Sequence, residues 1–139
     1  MNNSTVYKNS RDDWSTPDWL FQQLDNEFCF TLDPCANYHN HKCKKYFTIA
    51  DDGLSRSWRN ESVFMNPPYG KNIKHWVKKA YEESLNLETT IVCLLPASTD
   101  TKWFHDYCLY GEIRFIKGRL RFGGSSQNAP FPSMIVIFN

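Results

Sequence analysis

The segment Asn66-Pro67-Pro68-Tyr69 constrains this chain more than any other. It follows a short apolar run, residues 63–65, that is typical of a buried strand. Two consecutive prolines cannot continue that strand, because neither can donate a backbone hydrogen bond and both have a fixed φ. The chain must therefore leave the sheet here in a stiff loop, which presents an amide side chain, a carbonyl group and an aromatic ring.

These groups suit a planar ring that carries an amino group. The Asn66 side-chain oxygen and the Pro67 carbonyl can each accept one amino hydrogen, and Tyr69 can stack on the ring. An ordinary proline-rich turn is the alternative interpretation of the tetrapeptide alone, so the surrounding sequence has to decide between them.

Strand and helix patterns alternate along the chain, which predicts an α/β fold. We predict strands at residues 28–33, 63–65, 91–95, 112–116 and 134–138, with a short element near Tyr46-Phe47. Two helices are predicted to begin at the capping residues Thr16 and Asn72, and a short one to follow Pro96. The first, second and third strands each end in a polar segment, so the pattern favours a composite pocket at one edge of the sheet.

Composition limits the classes of protein to consider. A chain of 139 residues is long enough for one domain, and we place that domain at residues 14–139, after a polar tail at 1–13 that we expect to be flexible. No run approaches ~18 apolar residues and the N-terminus lacks an apolar signal core, so we expect a cytoplasmic protein without a membrane partner.

The net charge of +1 limits any nucleic-acid-binding surface to a local patch. Five cysteines, an odd number, favour reduced thiols.

Several motifs follow one another in a recognisable order. They are Trp14-Ser15-Thr16-Pro17, Leu32-Asp33-Pro34-Cys35-Ala36, Asp52-Gly53-Leu54, Asn66-Pro67-Pro68-Tyr69, 95–101, 118–122 and 130–134. This order and spacing resemble the short phage-type DNA N6-adenine methyltransferases of the Dam family. The resemblance covers about residues 14 to 139.

The resemblance implies a small single-domain Rossmann-like fold, with a mostly parallel sheet, helices on its faces and an antiparallel C-terminal strand. It also implies methyl transfer from S-adenosylmethionine to the N6 amino group of adenine in double-stranded DNA, with the base flipped into a pocket at residues 66–69. The implied cofactor-binding residues are Trp14, Thr16, Pro17, Asp33, Pro34, Asp51, Asp52 and Leu54. The implied catalytic residues are Asn66, Pro67, Pro68 and Tyr69.

The sequence departs from larger adenine methyltransferases in its first cofactor loop. That loop, residues 34–37, has no glycine, and only 18 residues separate Asp33 from Asp52, too few for the usual strand and helix that carry a ribose-binding acid. Asp51 is the candidate for that role. Two alternatives stay open. The same tetrapeptide can hold an RNA base or a protein glutamine amide, so the substrate of the methyltransferase could be either of these; the glycine-free loop favours a catalytically silent DNA-binding module with the same fold.

Two further clusters stand out. Cys35, His39, His41 and Cys43 are all zinc-competent residue types, but their spacing is unlike that of the usual zinc knuckles and the family resemblance does not call for a metal, so we expect none. One basic cluster, Arg114, Lys117, Arg119 and Arg121, precedes Gly123-Gly124, and a second basic group begins at Lys71, just after the tetrapeptide. Basic runs are usually solvated faces, yet these residues would neighbour the pocket if the resemblance holds, and we expect DNA contact there. The sequence leaves monomer and homodimer open.

Overall fold

The computed structural model describes residues 14–139, so the predicted flexible tail at 1–13 lies outside the described part. The strands are β1 (Leu32–Asp33), β2 (Lys45–Tyr46), β3 (Ser62–Met65), β4 (Thr90–Pro96), β5 (Glu112–Phe115) and β6 (Ser133–Phe138). The helices are α1 (Asp18–Phe28), α2 (Ile73–Ser84) and α3 (Lys102–Asp106), with 3-10 turns at Gly53–Ser55 and Cys108–Tyr110. No helix within this range is long and apolar enough to cross a membrane.

The six strands form one sheet in the order β2-β1-β3-β4-β6-β5. Strands β2, β1, β3 and β4 pair in parallel, whereas β6 runs antiparallel to both β4 and β5. Strand β6 is therefore the one reversed strand among those described. The prediction of a mostly parallel sheet with an antiparallel C-terminal strand is confirmed.

Helices cover both faces of the sheet. Phe21 of α1 packs edge-on against Phe64 of β3, with ring centroids 5.2 Å apart. Tyr81 of α2 packs against Phe138 of β6, at 6.0 Å. Val63 pairs with Ile91, and Ile91 pairs with Phe138, so these three side chains point to the same face of the sheet. Phe64 follows Val63 in β3 and therefore points to the other face. Helices α1 and α2 thus lie on opposite faces, as expected.

Two local predictions were wrong at the first helix. Pro17, not Thr16, is the N-cap of α1, and no side chain caps the helix; the Thr16 hydroxyl is used elsewhere. The helix also continues to Phe28, where a strand was predicted to begin, and ends at Cys29 in a left-handed conformation (φ 51°). The Asp25 carboxylate accepts a hydrogen bond from the Phe30 backbone N–H, which holds the chain out of the sheet until β1.

The parallel strands direct their carboxyl ends to one edge of the sheet. Asp33 at the end of β1, Asn66 after β3 and Pro96 at the end of β4 all lie at that edge. Neighbouring parallel strands bring residues that are distant in sequence together in this way, and ligand sites of α/β folds form there. The candidate site is built at this edge.

Candidate active site

The Asn66 side chain is fixed in one orientation. Its amide nitrogen donates hydrogen bonds to the Trp14 carbonyl and to the Thr16 hydroxyl, the latter at 2.9 Å. A backbone carbonyl can only accept, so the nitrogen must face Trp14 and the oxygen must point away. That oxygen, Oδ1, is buried and has no hydrogen-bond partner among the described residues. A buried acceptor left without a donor is costly, so Asn66 Oδ1 is an acceptor available to a donor that enters the crevice.

The residues after Asn66 continue the site. No hydrogen bond from residues 14–139 reaches the Pro67 carbonyl, which leaves a second acceptor next to Asn66. Tyr69 is buried, and its hydroxyl donates to the Leu94 carbonyl at 3.1 Å. Burial raises the pKa of Tyr69 well above its usual value, so the phenol stays neutral. Its ring packs edge-on against Phe131, with centroids 5.6 Å apart.

A small polar crevice of about 20 Å³ surrounds Asn66. It is lined by Trp14, Ser15, Thr16, Asp33, Cys35, Asn40, Lys42, Phe64 and Asn66. It therefore brings together four of the residues predicted from the sequence: Trp14, Thr16, Asp33 and Asn66. A cavity of this size accommodates an ordered water but not a nucleoside.

Asp33 holds the loop that forms the wall of the crevice. Its carboxylate accepts hydrogen bonds from the backbone N–H groups of Lys42 (2.9 Å) and Cys35 (3.3 Å). Only 5% of the residue is exposed, and this burial raises the pKa of Asp33 to about 6, against the lowering effect of the two hydrogen bonds. Asp33 thus fixes both ends of the segment 35–42.

A wide cleft of about 510 Å³ adjoins the crevice and shares Cys35 and Asn40 with it. This volume lies in the range of small-molecule and cofactor sites. Among the predicted residues, the cleft brings together Pro34, Asp52, Leu54, Pro68, Tyr69 and Lys71. Asp52 has a left-handed backbone (φ 56°) and an exposed side chain.

Two predicted cofactor residues lie apart from both cavities. Pro17 begins α1 and lines neither of them. Asp51 also lines neither, because its carboxylate accepts from the backbone N–H (2.9 Å) and hydroxyl (3.1 Å) of Thr48. These hydrogen bonds lower the pKa of Asp51. Of the two neighbouring acids, Asp52 and not Asp51 therefore lines the cleft.

Several cleft residues were missed by the sequence analysis. Phe47, Ile49 and Trp76 supply apolar surface, and His75 lies beside them. Trp76 shares the helical spacing of Ile73, Val77 and Ala80, and that spacing cannot distinguish a core residue from one lining a cavity. Phe47 follows an edge strand of only two residues, which is too short to show periodicity.

The cluster that could have held zinc is dispersed. The His41 ring donates from Nδ1 to the Cys43 carbonyl at 2.8 Å and stacks on Tyr46, with centroids 3.9 Å apart. Within residues 14–139, no three His, Cys, Asp or Glu side chains are grouped as metal ligands. Burial raises the pKa of Cys35 well above its usual value and that of Cys43 to about 12, so both thiols are neutral.

The predicted basic residues fall into different environments. Arg114 forms a two-pronged ion pair with Glu27 (2.7 and 2.8 Å) and a further bond to Glu112 (2.5 Å). Arg121 donates to the carbonyls of Ser125 (3.2 Å) and Ser126 (2.9 Å) and thereby closes the loop after Gly123-Gly124.

Lys117 and Arg119 are exposed and form no ion pair within residues 14–139. The segment that follows them packs on the crevice: Phe122 contacts Trp14 at 5.3 Å between centroids, and the Gly123 N–H donates to the Ser15 carbonyl at 2.9 Å. The free charges therefore lie on the chain segment that leads to the crevice.

Comparison with known proteins points to one family. Residues 3–139 match the sequence model of the family described as DNA N-6-adenine-methyltransferase (Dam). A DNA N-6-adenine-methyltransferase of Haemophilus phage HP1 (strain HP1c1) is 34% identical over an alignment of 148 residues, which covers 99% of this chain and 84% of that protein. A second protein of that name, from Escherichia phage T1, is 36% identical over 96 residues, covering 68% of this chain and 40% of that protein.

Proposed function

The chain belongs to the Dam family of DNA N-6-adenine-methyltransferases, and we propose that it methylates adenine N6 in DNA by holding the target base at Asn66 and Pro67. The observation that carries this proposal is the buried, unpartnered Asn66 Oδ1, whose orientation is fixed by Trp14 and Thr16. An adenine amino group supplies the donor that this oxygen lacks.

The two acceptors explain how the amino group becomes reactive. Adenine N6 is a poor nucleophile, because its lone pair is delocalised into the ring. Asn66 Oδ1 and the Pro67 carbonyl each accept one N6 hydrogen, which draws the nitrogen towards tetrahedral geometry and localises the lone pair. Asn66 is neutral and cannot act as a general base, so the N6 proton leaves after transfer.

The base has to leave the duplex to reach these groups, at a cost of a few kcal/mol. Stacking on the Tyr69 ring offsets about 1–3 kcal/mol of that cost. Tyr69 is buried among aromatic rings, with Phe131 at 5.6 Å and Phe122 at 6.3 Å. Entry of the base at Tyr69 therefore requires this cluster to rearrange.

We assign the methyl donor, S-adenosylmethionine, to the wide cleft. The volume of about 510 Å³, the apolar lining and the Asp52 carboxylate suit a nucleoside with ribose hydroxyls. When bound, this donor supplies a methyl group on a positively charged sulfur. Asp33 contributes indirectly, by holding residues 35–42 in place. Residues 14–139 act as one methyltransferase domain in this proposal.

The duplex is assigned to the side of the site that carries Lys117, Arg119, Arg121 and Lys71. Lys71 lines the cleft, and the other three precede the loop that packs on the crevice. We leave Arg114 out of this surface, because two carboxylates already neutralise its guanidinium. Phosphate contacts from such residues orient the duplex without reading its sequence.

The decisive test is incubation with methyl-labelled S-adenosylmethionine and duplex DNA, followed by nucleoside analysis. We expect label in N6-methyladenine, and none with the Asn66→Ala variant. Parallel reactions with RNA and with a glutamine-containing protein test the other substrates. Label in either of these but not in DNA would overturn the assignment, and donor binding without transfer to any substrate would indicate a silent module.

A further inference from the structure

Trp76 of α2 lines the wide cleft and has no role in the site as described so far. It is half-buried, and one side of its indole ring is covered by Trp58, with centroids 6.3 Å apart and planes inclined by 19°. The remaining ring surface contributes to the cleft. A large aromatic surface in a cleft sized for a nucleoside is suited to stacking on a purine base.

Trp58 is held by two hydrogen bonds and by a cation that lies over its ring. It is fully buried, its backbone N–H donates to the Glu83 carboxylate at 2.9 Å, and its indole N–H donates to the Gly53 carbonyl at 3.0 Å. Glu83 is paired with Lys79 at 2.8 Å, and the Lys79 ammonium lies 5.4 Å from the Trp58 ring centroid. A buried network whose donors are satisfied in this way gives Trp58 a single position.

Gly53 joins this network to the cleft. A Cβ at position 53 would lie 2.3 Å from the Pro34 carbonyl oxygen and 3.1 Å from the Trp76 ring, so only glycine fits. The loop that bears Asp52 and Leu54 is therefore packed directly against Trp76. Trp58 therefore contacts both the Trp76 ring and, through the Gly53 carbonyl, the loop that lines the same cleft.

We propose that Trp76 is the stacking surface for the purine base of the nucleoside methyl donor, and that Trp58 is the residue that positions it. This inference rests on the proposed function and deepens it. The flipped adenine is assigned elsewhere, because Asn66 lines the crevice and not the cleft. Tyr69, on which that base stacks in the proposed function, also lines the cleft, so donor binding measured without DNA is what separates the two bases.

The test is calorimetric binding of S-adenosylhomocysteine, without DNA, to the full chain and four variants. Trp76→Leu removes the aromatic surface and should weaken binding about tenfold or more, in line with base–aromatic stacking. Trp76→Phe should restore most of the affinity. Trp58→Phe keeps an aromatic ring beside Trp76 but removes the bond to Gly53 and part of the buried ring system, and it should weaken binding several-fold, raising KM for the donor with kcat unchanged. Trp19→Leu is the matched control: Trp19 is 59% exposed on α1, lines neither cavity and should bind like the wild type.

A second measurement does not depend on the leucine variant folding. Stacking on Trp76 should quench part of the intrinsic fluorescence when the ligand is added, and Trp76→Phe should lose that part of the quenching. Wild-type affinity in a folded Trp76→Leu, unchanged quenching in Trp76→Phe, or a defect confined to DNA binding would each overturn the inference. Failure of the wild type to bind the nucleoside would instead overturn the assignment of the donor to this protein.

Discussion

The crevice around Asn66 and the wide cleft beside it are built on opposite principles. In the crevice, polar groups have fixed partners: Asn66 is held by Trp14 and Thr16, and Asp33 by two backbone N–H groups. In the cleft, about 510 Å³ is bounded largely by apolar and aromatic side chains. Under the proposed function, the crevice supplies pre-organised groups for the chemical step, whereas the cleft supplies binding energy for the donor. Substitutions in the two regions should therefore affect different kinetic constants.

The largest effect should come from Asn66→Ala. It removes an acceptor that acts on the amino group in the transition state, and loss of one such group typically costs about 10²–10³ in kcat. Single-turnover transfer of labelled methyl to duplex DNA measures this directly. Because Asn66 lines the crevice and not the cleft, S-adenosylhomocysteine should bind the variant almost as tightly as the wild type.

Thr16→Val is the matched control for Asn66, because it keeps the acceptor and removes only one of the two groups that orient it. Its kcat should fall less than that of Asn66→Ala. Near-normal turnover by a folded Asn66→Ala protein would remove the central claim for the crevice.

Asp33 should make the stability of the crevice depend on pH. Its pKa is raised from 3.8 to about 6 in the folded protein, so the folded state binds the proton more tightly than the unfolded chain. The free energy of unfolding therefore falls as pH rises from 3.8 to about 6 and is constant, for this group, above that. A shift of this size corresponds to about 3 kcal/mol.

Urea unfolding of the wild type and Asp33→Asn at acidic and neutral pH isolates this contribution, because other titrating groups cancel in the difference. The wild type should gain up to about 3 kcal/mol relative to the variant as the pH is lowered from 7 to 4. A pH-independent difference between the two proteins would mean that Asp33 is solvated and ionises normally.

In the cleft, Asp52→Ala should weaken donor binding and leave kcat almost unchanged, which is the reverse of the result expected for Asn66→Ala. Its exposed carboxylate lines the cleft, and hydrogen bonds to charged groups are worth about 1.5–3 kcal/mol, partly offset here by exposure to water. Donor affinity should fall about tenfold while kcat at saturating donor changes little. Asp51→Ala is the neighbouring control, and it should leave the donor Kd unchanged because Asp51 lies outside the cleft. If the two variants weakened donor binding equally, the assignment of the donor to the cleft would be overturned.

A smaller effect, on DNA binding, should distinguish Lys117 from Arg114. If Lys117 neutralises one phosphate, Lys117→Ala should lower the slope of log affinity against log salt by ~0.9 and weaken all DNA sequences alike. Arg114→Ala is its matched control, since Arg114 is already paired with Glu27 and Glu112. Binding titrations across a salt series on two unrelated duplexes give the slopes. The assignment fails if Arg114→Ala changes the slope and Lys117→Ala does not.

The smallest effect should be that of Tyr69→Phe, which keeps the stacking ring and removes the hydroxyl bond to the Leu94 carbonyl. We expect a loss of about 1 kcal/mol in the free energy of unfolding and nearly normal turnover. Thermal unfolding together with steady-state kinetics makes the comparison. A loss of turnover as large as that of Tyr69→Ala would give the hydroxyl a role in the reaction.

The sequence predicted what is encoded locally. Asn66 and Asp33 follow or end apolar strands, so their place at the sheet edge could be deduced from strand periodicity and proline chemistry. The family followed from the order and spacing of the motifs, and the family resemblance in turn implied a mostly parallel sheet with an antiparallel C-terminal strand; the order of the strands was not predicted. These features depend on short sequence segments that adopt the same local structure whatever packs around them.

What the sequence did not predict depends on contacts between distant segments. The Thr16 hydroxyl resembles a helix cap, but its partner is an amide 50 residues away. Arg114 resembles a phosphate-binding residue until Glu27, 87 residues away, is placed beside it. Trp76 has the spacing of a core residue, and only the packing of Trp58 and Gly53 turns part of its ring to the cleft.

The bonds from Asn66 to Trp14 and Thr16 make the reactive centre a product of complete assembly. Asn66 lies in the middle of the chain, its two partners come from the first described residues, and Ser15 between them is held by Gly123 near the opposite end. A chain whose sheet has formed, but whose first segment has not docked, carries the full tetrapeptide without an oriented amide. In the proposed mechanism such a partly folded molecule lacks an oriented acceptor for the adenine amino group, so efficient methyl transfer requires all three segments to have met.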